Sequence, residues 1–211
     1  MHSLLRASVV GAALLLTLSV FACQAGPLGG QASDPTQLTI GSGEVPGDLQ
    51  HCPASGNVDR YLAELKPKNQ EAFQALQDSW LQLRKEGAKS AAIALFATGQ
   101  AACSARLGTA QGRSIANLVA SFPDDQAAAA AYQHGILGFP TPAPDAQVPG
   151  VSLGIATGLS ENAWVAQRSI GGRNLYVAWW QDHSVAAFVV SADLDTAESR
   201  RAAEAVEARI R

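Results

Sequence analysis

Three β-prone runs, Ala163–Ile170, Arg173–Gln181 and Ser184–Ala192, stand in succession with only Gly171-Gly172 and Asp182-His183 between them. Connections of two residues close hairpins and cannot bridge parallel strands, so these runs predict an antiparallel sheet. The apolar period then turns helical. Asp193 and Asp195 offer N-cap oxygens, and Ala202, Ala205, Val206 and Ile210 form a narrow apolar stripe on the Ala, Glu and Arg-rich helix that follows. Upstream, Ser114–Phe122 reads as a strand and Pro123-Asp124-Asp125 as the opening of an Ala-rich helix, Gln126–His134, that ends at Gly135 and Gly138. Four prolines make Phe139–Gly150 a loop. The order β-α-loop-β-β-β-α predicts an α+β fold, with helices on one face of an antiparallel sheet.

The first half of the chain has a different texture. Val58, Tyr61, Leu62 and Leu65 recur at helical spacing up to Pro67, which ends the helix because the residue before proline is pushed out of the α region. Phe73, Leu76, Trp80 and Leu83 predict a second helix, capped at Gly87. The Ala-rich stretch Ala88–Leu107 reads as a third helix, with a short strand at Ile93–Thr98 as the alternative. Residues 51–108 are therefore expected to form a helical N-terminal subdomain packed on the sheet of an α+β domain, 109–211. Gln24–Gln50 is rich in Gly, Pro, Ser, Gln and Asp and has no aromatic residue. Such a stretch buries too little apolar area to offset its ordering entropy. It predicts a flexible linker over 23–50, with a reach of about 25 to 30 Å, although Gln37-Leu38-Thr39-Ile40 could pair as an edge strand.

Ahead of that stretch, residues 1–22 have the layout of a signal peptide: one cation and no acid, then a largely apolar run from Ala7 to Ala22. The run is shorter than the roughly 20 apolar residues a spanning helix needs, and it stops at a small residue followed by Cys23. Val20-Phe21-Ala22-Cys23 resembles the bacterial lipobox. That resemblance implies a lipoprotein: cleavage before Cys23, a diacylglycerol thioether on its sulfur, an N-acyl chain such as palmitate, and a cell-membrane anchor facing the extracytoplasmic side. Two or three acyl chains hold where one is marginal, each buried methylene contributing about 0.8 kcal/mol. The alternative is an ordinary signal peptide with a coincidental cysteine.

The chain has three cysteines. If Cys23 is acylated, Cys52 and Cys103 are left as a pair in an oxidising compartment, where a disulfide is the expected state and two buried free thiols the alternative. Loss of the leader removes Arg6 and no acid, leaving 14 basic against 18 acidic residues and a net charge of −4. A weakly acidic surface without a Lys/Arg cluster argues against nucleic acid as a partner.

Phe122-Pro123-Asp124-Asp125 before an Ala-rich helix, Thr157-Gly158-Leu159-Ser160-Glu161-Asn162-Ala163 before a strand, and the hairpin running into a final Ala/Glu/Arg helix are similar to extracytoplasmic α+β domains of actinobacterial lipoproteins and receptor-kinase sensors. The resemblance covers less than half of the chain. It implies a domain that binds small molecules, lipids or protein partners rather than one that catalyses.

Catalytic signals are sparse. Gly158-Leu159-Ser160-Glu161-Asn162 lacks the second glycine of a nucleophile elbow, which makes Ser160 a loop residue. His51, His134 and His183 are isolated, with no spacing that presets a metal site, and Asp182-His183 reads as a solvated hairpin tip. Glu161, Asp145, Asp182 and Asp193 carry no separation from which an acid/base pair could be read. No glycine-rich turn opens a βαβ unit, so no cofactor is expected. Neither an enzyme nor a metal protein is predicted.

The aromatic residues of the predicted sheet are the remaining candidates for a site: Trp164, Tyr176, Trp179 and Trp180. Adjacent strand residues face opposite sides, so Trp179 and Trp180 divide between the two faces, one of them in company with Tyr176 and Trp164. Either the N-terminal helices cover that second face, the favoured account, or the aromatics form a ligand-binding patch. The expected function is a membrane-tethered, non-catalytic binding or sensing lipoprotein. A structural or assembly-assisting cell-envelope protein without a small-molecule site is the alternative, and a hydrolase a distant third.

Overall fold

The computed structural model describes residues 34–107, 112–170 and 172–211. The expected signal peptide 1–22, Cys23 and the first third of the expected linker lie outside the described residues. In chain order the elements are α1 (Pro35–Leu38), β1 (Gln50–His51), β2 (Gly56–Asn57), α2 (Val58–Leu65), α3 (Gln70–Lys85), β3 (Ser90–Ala97), β4 (Ser114–Ser121), α4 (Asp125–His134), β5 (Val151–Leu153), β6 (Asn162–Ile170), β7 (Arg173–Asp182), β8 (Val185–Ala192) and α5 (Thr196–Ile210). The fold is α+β. One antiparallel sheet runs in the order β1-β3-β4-β8-β7-β6-β5, with β2 also paired to β3. Among the described residues no helix is long and apolar enough to cross a membrane.

Local chemistry accounts for most element ends. Asn57 and Asn69 accept the Asp59 and Ala72 backbone N–H groups at the starts of α2 and α3, Asp124 accepts that of Ala127 in α4, and Asp195 with Glu198 forms a capping box on α5. The three C-terminal strands and their hairpins stand where the sequence predicts them, with Asp182 opposite Val185 and Ile170 opposite Arg173.

Ala88–Leu107 is the main departure. Its centre is not a helix but β3, a strand that pairs residue by residue with β4 from Ser90↔Ser121 to Ala97↔Ser114. Ala91 to Ala97 are all buried. A strand covered on both faces reads as a continuous apolar run, which periodicity cannot separate from a buried helix. Residues 51–108 are consequently no separate helical subdomain, since β1, β2 and β3 belong to the same sheet as the C-terminal strands.

The helices also do not share one face. Ile93, Leu95, Leu118, Phe188, Val177, Trp179 and Trp164 pack with α2, α3 and α4, whereas Phe96, Ile115, Val119, Val189, Tyr176 and Trp180 pack with α1 and α5. The sheet is thus sandwiched between two apolar layers.

The expected linker does not reach Gln50. From Asp34 the chain is folded, with Leu38, Ile40 and Leu49 buried in the α5-side layer. The Ile40 N–H donates to the side-chain oxygen of the fully buried Asn117, 3.1 Å away. Gln37-Leu38 belongs to α1 rather than to an edge strand. Three apolar side chains at irregular spacing carry no period in the sequence. They find partners only once the sheet exists.

Candidate functional site

Register decides where the aromatic residues go. Trp164 on β6 pairs with Trp179 on β7 and shares its face, whereas Tyr176 and Trp180 occupy the other. Trp164 therefore does not join Tyr176, because β6 and β7 are paired without a bulge and the alternation is kept across the hairpin. Three of the four are anchored as core. Trp179 is fully buried, donates to the Tyr132 carbonyl at 3.1 Å and stacks on the Tyr132 ring. Trp180 is fully buried and donates to the Glu207 carboxylate at 2.7 Å. Tyr176 is 4% exposed, and burial pushes its hydroxyl up to about 12.

Trp164 differs. It is buried, yet its indole N–H has no acceptor among the described residues. Buried indoles generally find a hydrogen-bond partner. Trp164 also lines a cavity of about 430 Å³. Val151, Trp164, Ala166, Arg168, Leu175 and Val177 contribute from strands β5, β6 and β7, and Gly138, Phe139, Pro140, Pro142 and Val148 from the loop after α4.

The sequence builds this hollow in three ways. Helices α2, α3 and α4 serve the other strands of the same face, so over β5 and β6 the proline-rich loop takes their place. Prolines preset its backbone and leave fewer N–H groups to satisfy, which suits a loop lying over apolar surface. Ala166, between Trp164 and Arg168 on the same face of β6, leaves the floor low. Finally, Gly135 (φ +77°) lets the loop turn sharply at the end of α4, where a Cβ would stand 2.1 Å from the Phe139 carbonyl oxygen. The turn sets Phe139 with its ring 6.3 Å from that of Trp164 and 6.0 Å from that of Phe188.

Among the described residues Arg168 is the one charged residue of the lining. It is exposed, and among the described residues its side chain has no hydrogen bond or ion pair. The sequence reading singled out Trp164 but missed Phe139, Val148, Val151, Ala166, Arg168, Leu175 and Val177. The four prolines with Phe139 and Val148 among them were the available signal of a loop with an apolar inner side.

The other candidates are dispersed. Cys52 and Cys103 form a disulfide, 51 residues apart in sequence with Cα atoms 5.5 Å apart. The Ser160 hydroxyl donates to the carbonyls of Gln181 at 2.7 Å and Asn162 at 3.1 Å, tying the start of β6 to β7. His51 lies on β1 with its ring against Phe96, His134 ends α4 with Nδ1 3.4 Å from Glu86, and His183 sits exposed at the β7–β8 turn near Asp125 and Asp182. Glu161 and Asp145 are exposed in loops, and Asp193 is held by Arg173. Among the described residues no group of three or more His, Cys, Asp or Glu is placed to hold a metal ion. Comparison with protein-family models and with curated proteins finds no match to this chain.

Proposed function

We propose that this protein is an extracytoplasmic lipoprotein, anchored through Cys23, whose α+β body binds a small apolar ligand without transforming it. The observation that carries the binding role is the 430 Å³ cavity under the proline-rich loop. Its size lies within the range of small-molecule sites, and its lining is apolar with few polar groups, the pattern such sites follow. A non-catalytic role is supported by the Ser160 hydroxyl being engaged by two backbone carbonyls. The anchor rests on the signal layout and Cys23.

Two measurements test this reading. Native mass spectrometry of the full-length protein extracted in mild detergent is expected to find a non-covalently bound apolar molecule near one per chain. A uniformly ligand-free protein that takes up no apolar probe would instead favour an assembly role in the cell envelope. Cys23→Ala is expected to abolish metabolic labelling with a fatty acid and to move the protein out of the detergent phase. Unchanged partitioning would refute the anchor.

A further inference from the structure

We infer that the cavity between β5, β6, β7 and the proline-rich loop takes a single-chain amphiphile with an anionic head, its chain among Val151, Trp164, Ala166 and Val177 and its head on Arg168. This deepens the binding role proposed above and rests on it. The floor of the cavity has a direction. Trp164, Ala166 and Arg168 alternate along one face of β6, opposite Trp179, Val177 and Leu175 of β7. A strand rises about 3.3 Å per residue, so Trp164 and Arg168 lie roughly 13 Å apart along the floor. One end is an aromatic wall of Trp164 and Phe139. The other end is a guanidinium.

Charge selects the head group. Among the described residues Arg113 is held by Glu198 and Asp48, Arg173 by Asp193, Arg209 by Glu44 and Arg211 by Glu207, whereas Arg60, Arg84, Arg168, Arg200 and Arg201 form no ion pair with a carboxylate, and of these Arg168 alone lines the cavity. Arg168 has no such partner among the described residues, and no acidic residue lines the cavity. A guanidinium presents a planar fork of donors that fits a carboxylate or phosphate through two parallel hydrogen bonds. An apolar ligand lacking an anion would leave that fork without a partner at the end of its own binding site.

Volume selects the tail. At about 30 Å³ for each water-sized group, 430 Å³ holds on the order of a dozen groups, enough for one medium-length chain and too few for the two chains of a membrane phospholipid. The combination of roughly 13 Å of apolar floor, an aromatic end and a cationic end matches a chain of that length with one anionic terminus.

The test titrates the purified full-length protein with dodecanoate, dodecanol and dodecyltrimethylammonium, all below their micelle concentrations, followed by tryptophan fluorescence and calorimetry. Dodecanoate is expected to bind about tenfold more tightly than dodecanol, as a charge-assisted hydrogen bond at a partly solvated site would give, and the cation least tightly. Arg168→Gln, a change at an exposed position, is expected to erase the preference for dodecanoate by bringing its affinity down to that of dodecanol. Ala166→Leu, which raises the floor, is expected to weaken both. Equal binding of acid and alcohol, or a preference that survives Arg168→Gln, would overturn the assignment of an anionic head and leave the cavity as an apolar site. Failure of all three amphiphiles to bind the wild-type protein would overturn the amphiphile and the binding role together.

Discussion

Four aromatic side chains of similar burial have different roles, and the difference lies in what their polar atoms meet. Trp180 donates to Glu207, a carboxylate only 2% exposed that also accepts from Arg211 Nε at 2.9 Å. Removing a donor from a buried carboxylate costs about 1.5 to 3 kcal/mol before any packing loss. Trp180→Phe is therefore expected to lower stability in urea unfolding by about 2 kcal/mol or more. Trp164→Phe removes a donor that has no acceptor among the described residues and is expected to cost about 1 kcal/mol or less. Equal losses would contradict the distinction between anchor and cavity wall. The Glu207 carboxyl is itself raised above its ordinary 4.5, chiefly by burial and further by Asp182, with Arg211 and Trp180 opposing. Because its folded value exceeds the unfolded one, its contribution is fully present below the unfolded value and is lost as pH rises through the folded value. The stability of the wild type relative to Glu207→Gln is thus expected to fall as pH rises above about 4.5. Parallel stability curves for the two proteins would show that Glu207 is not desolvated in this way.

Among the elements, the segment 34–49 is the most altered by tertiary structure. Its composition is that of a spacer, yet it covers Phe96, Ile115 and Val119 and is fastened at two points: Asp48 accepts from Arg113 at 2.6 Å, and Glu44 pairs with Arg209 of α5. Arg113 bridges Glu198 and Asp48, and those hydrogen bonds, Glu198 first, hold its guanidinium more firmly protonated than usual. Exposed ion pairs contribute little by themselves, so the burial of Leu38, Ile40 and Leu49 carries the attachment. Ile40→Ala is expected to destabilise the protein by about 2 to 4 kcal/mol, as for a core isoleucine, and to raise amide exchange across 34–49. A spacer residue would tolerate the change within about 0.5 kcal/mol. β3 teaches the same lesson from the other side, since alanine favours a helix by propensity but here supplies small side chains to a strand wedged between two layers of helices.

On the scale of the whole molecule, the sheet joins both halves of the chain, and the disulfide binds the β1–β2 turn to the connection between β3 and β4. The closed loop of about 50 residues corresponds to roughly 4 kcal/mol on the chain-entropy model. Replacing both Cys52 and Cys103 by serine is expected to lower stability by about 2 to 4 kcal/mol, and the native protein to resist alkylation until reduced. Ready labelling without reductant would refute the bridge. Much of this was legible in the sequence: the three-strand hairpin series, α2 and α3, α4 and α5 with their aspartate caps, the proline-rich loop and the pairing of two cysteines. These depend on interactions within a few residues or on counting, and a linear pattern carries them. The position of β3 at the junction of the halves, the docking of 34–49, the division of helices between two faces and the hollow over β5–β7 were not legible. Each depends on which surfaces meet after the sheet has formed. The same holds for the candidate site, where the sequence by itself marked Trp164 among four equal aromatics, and only register and the absence of a covering helix separated it from the three that are core.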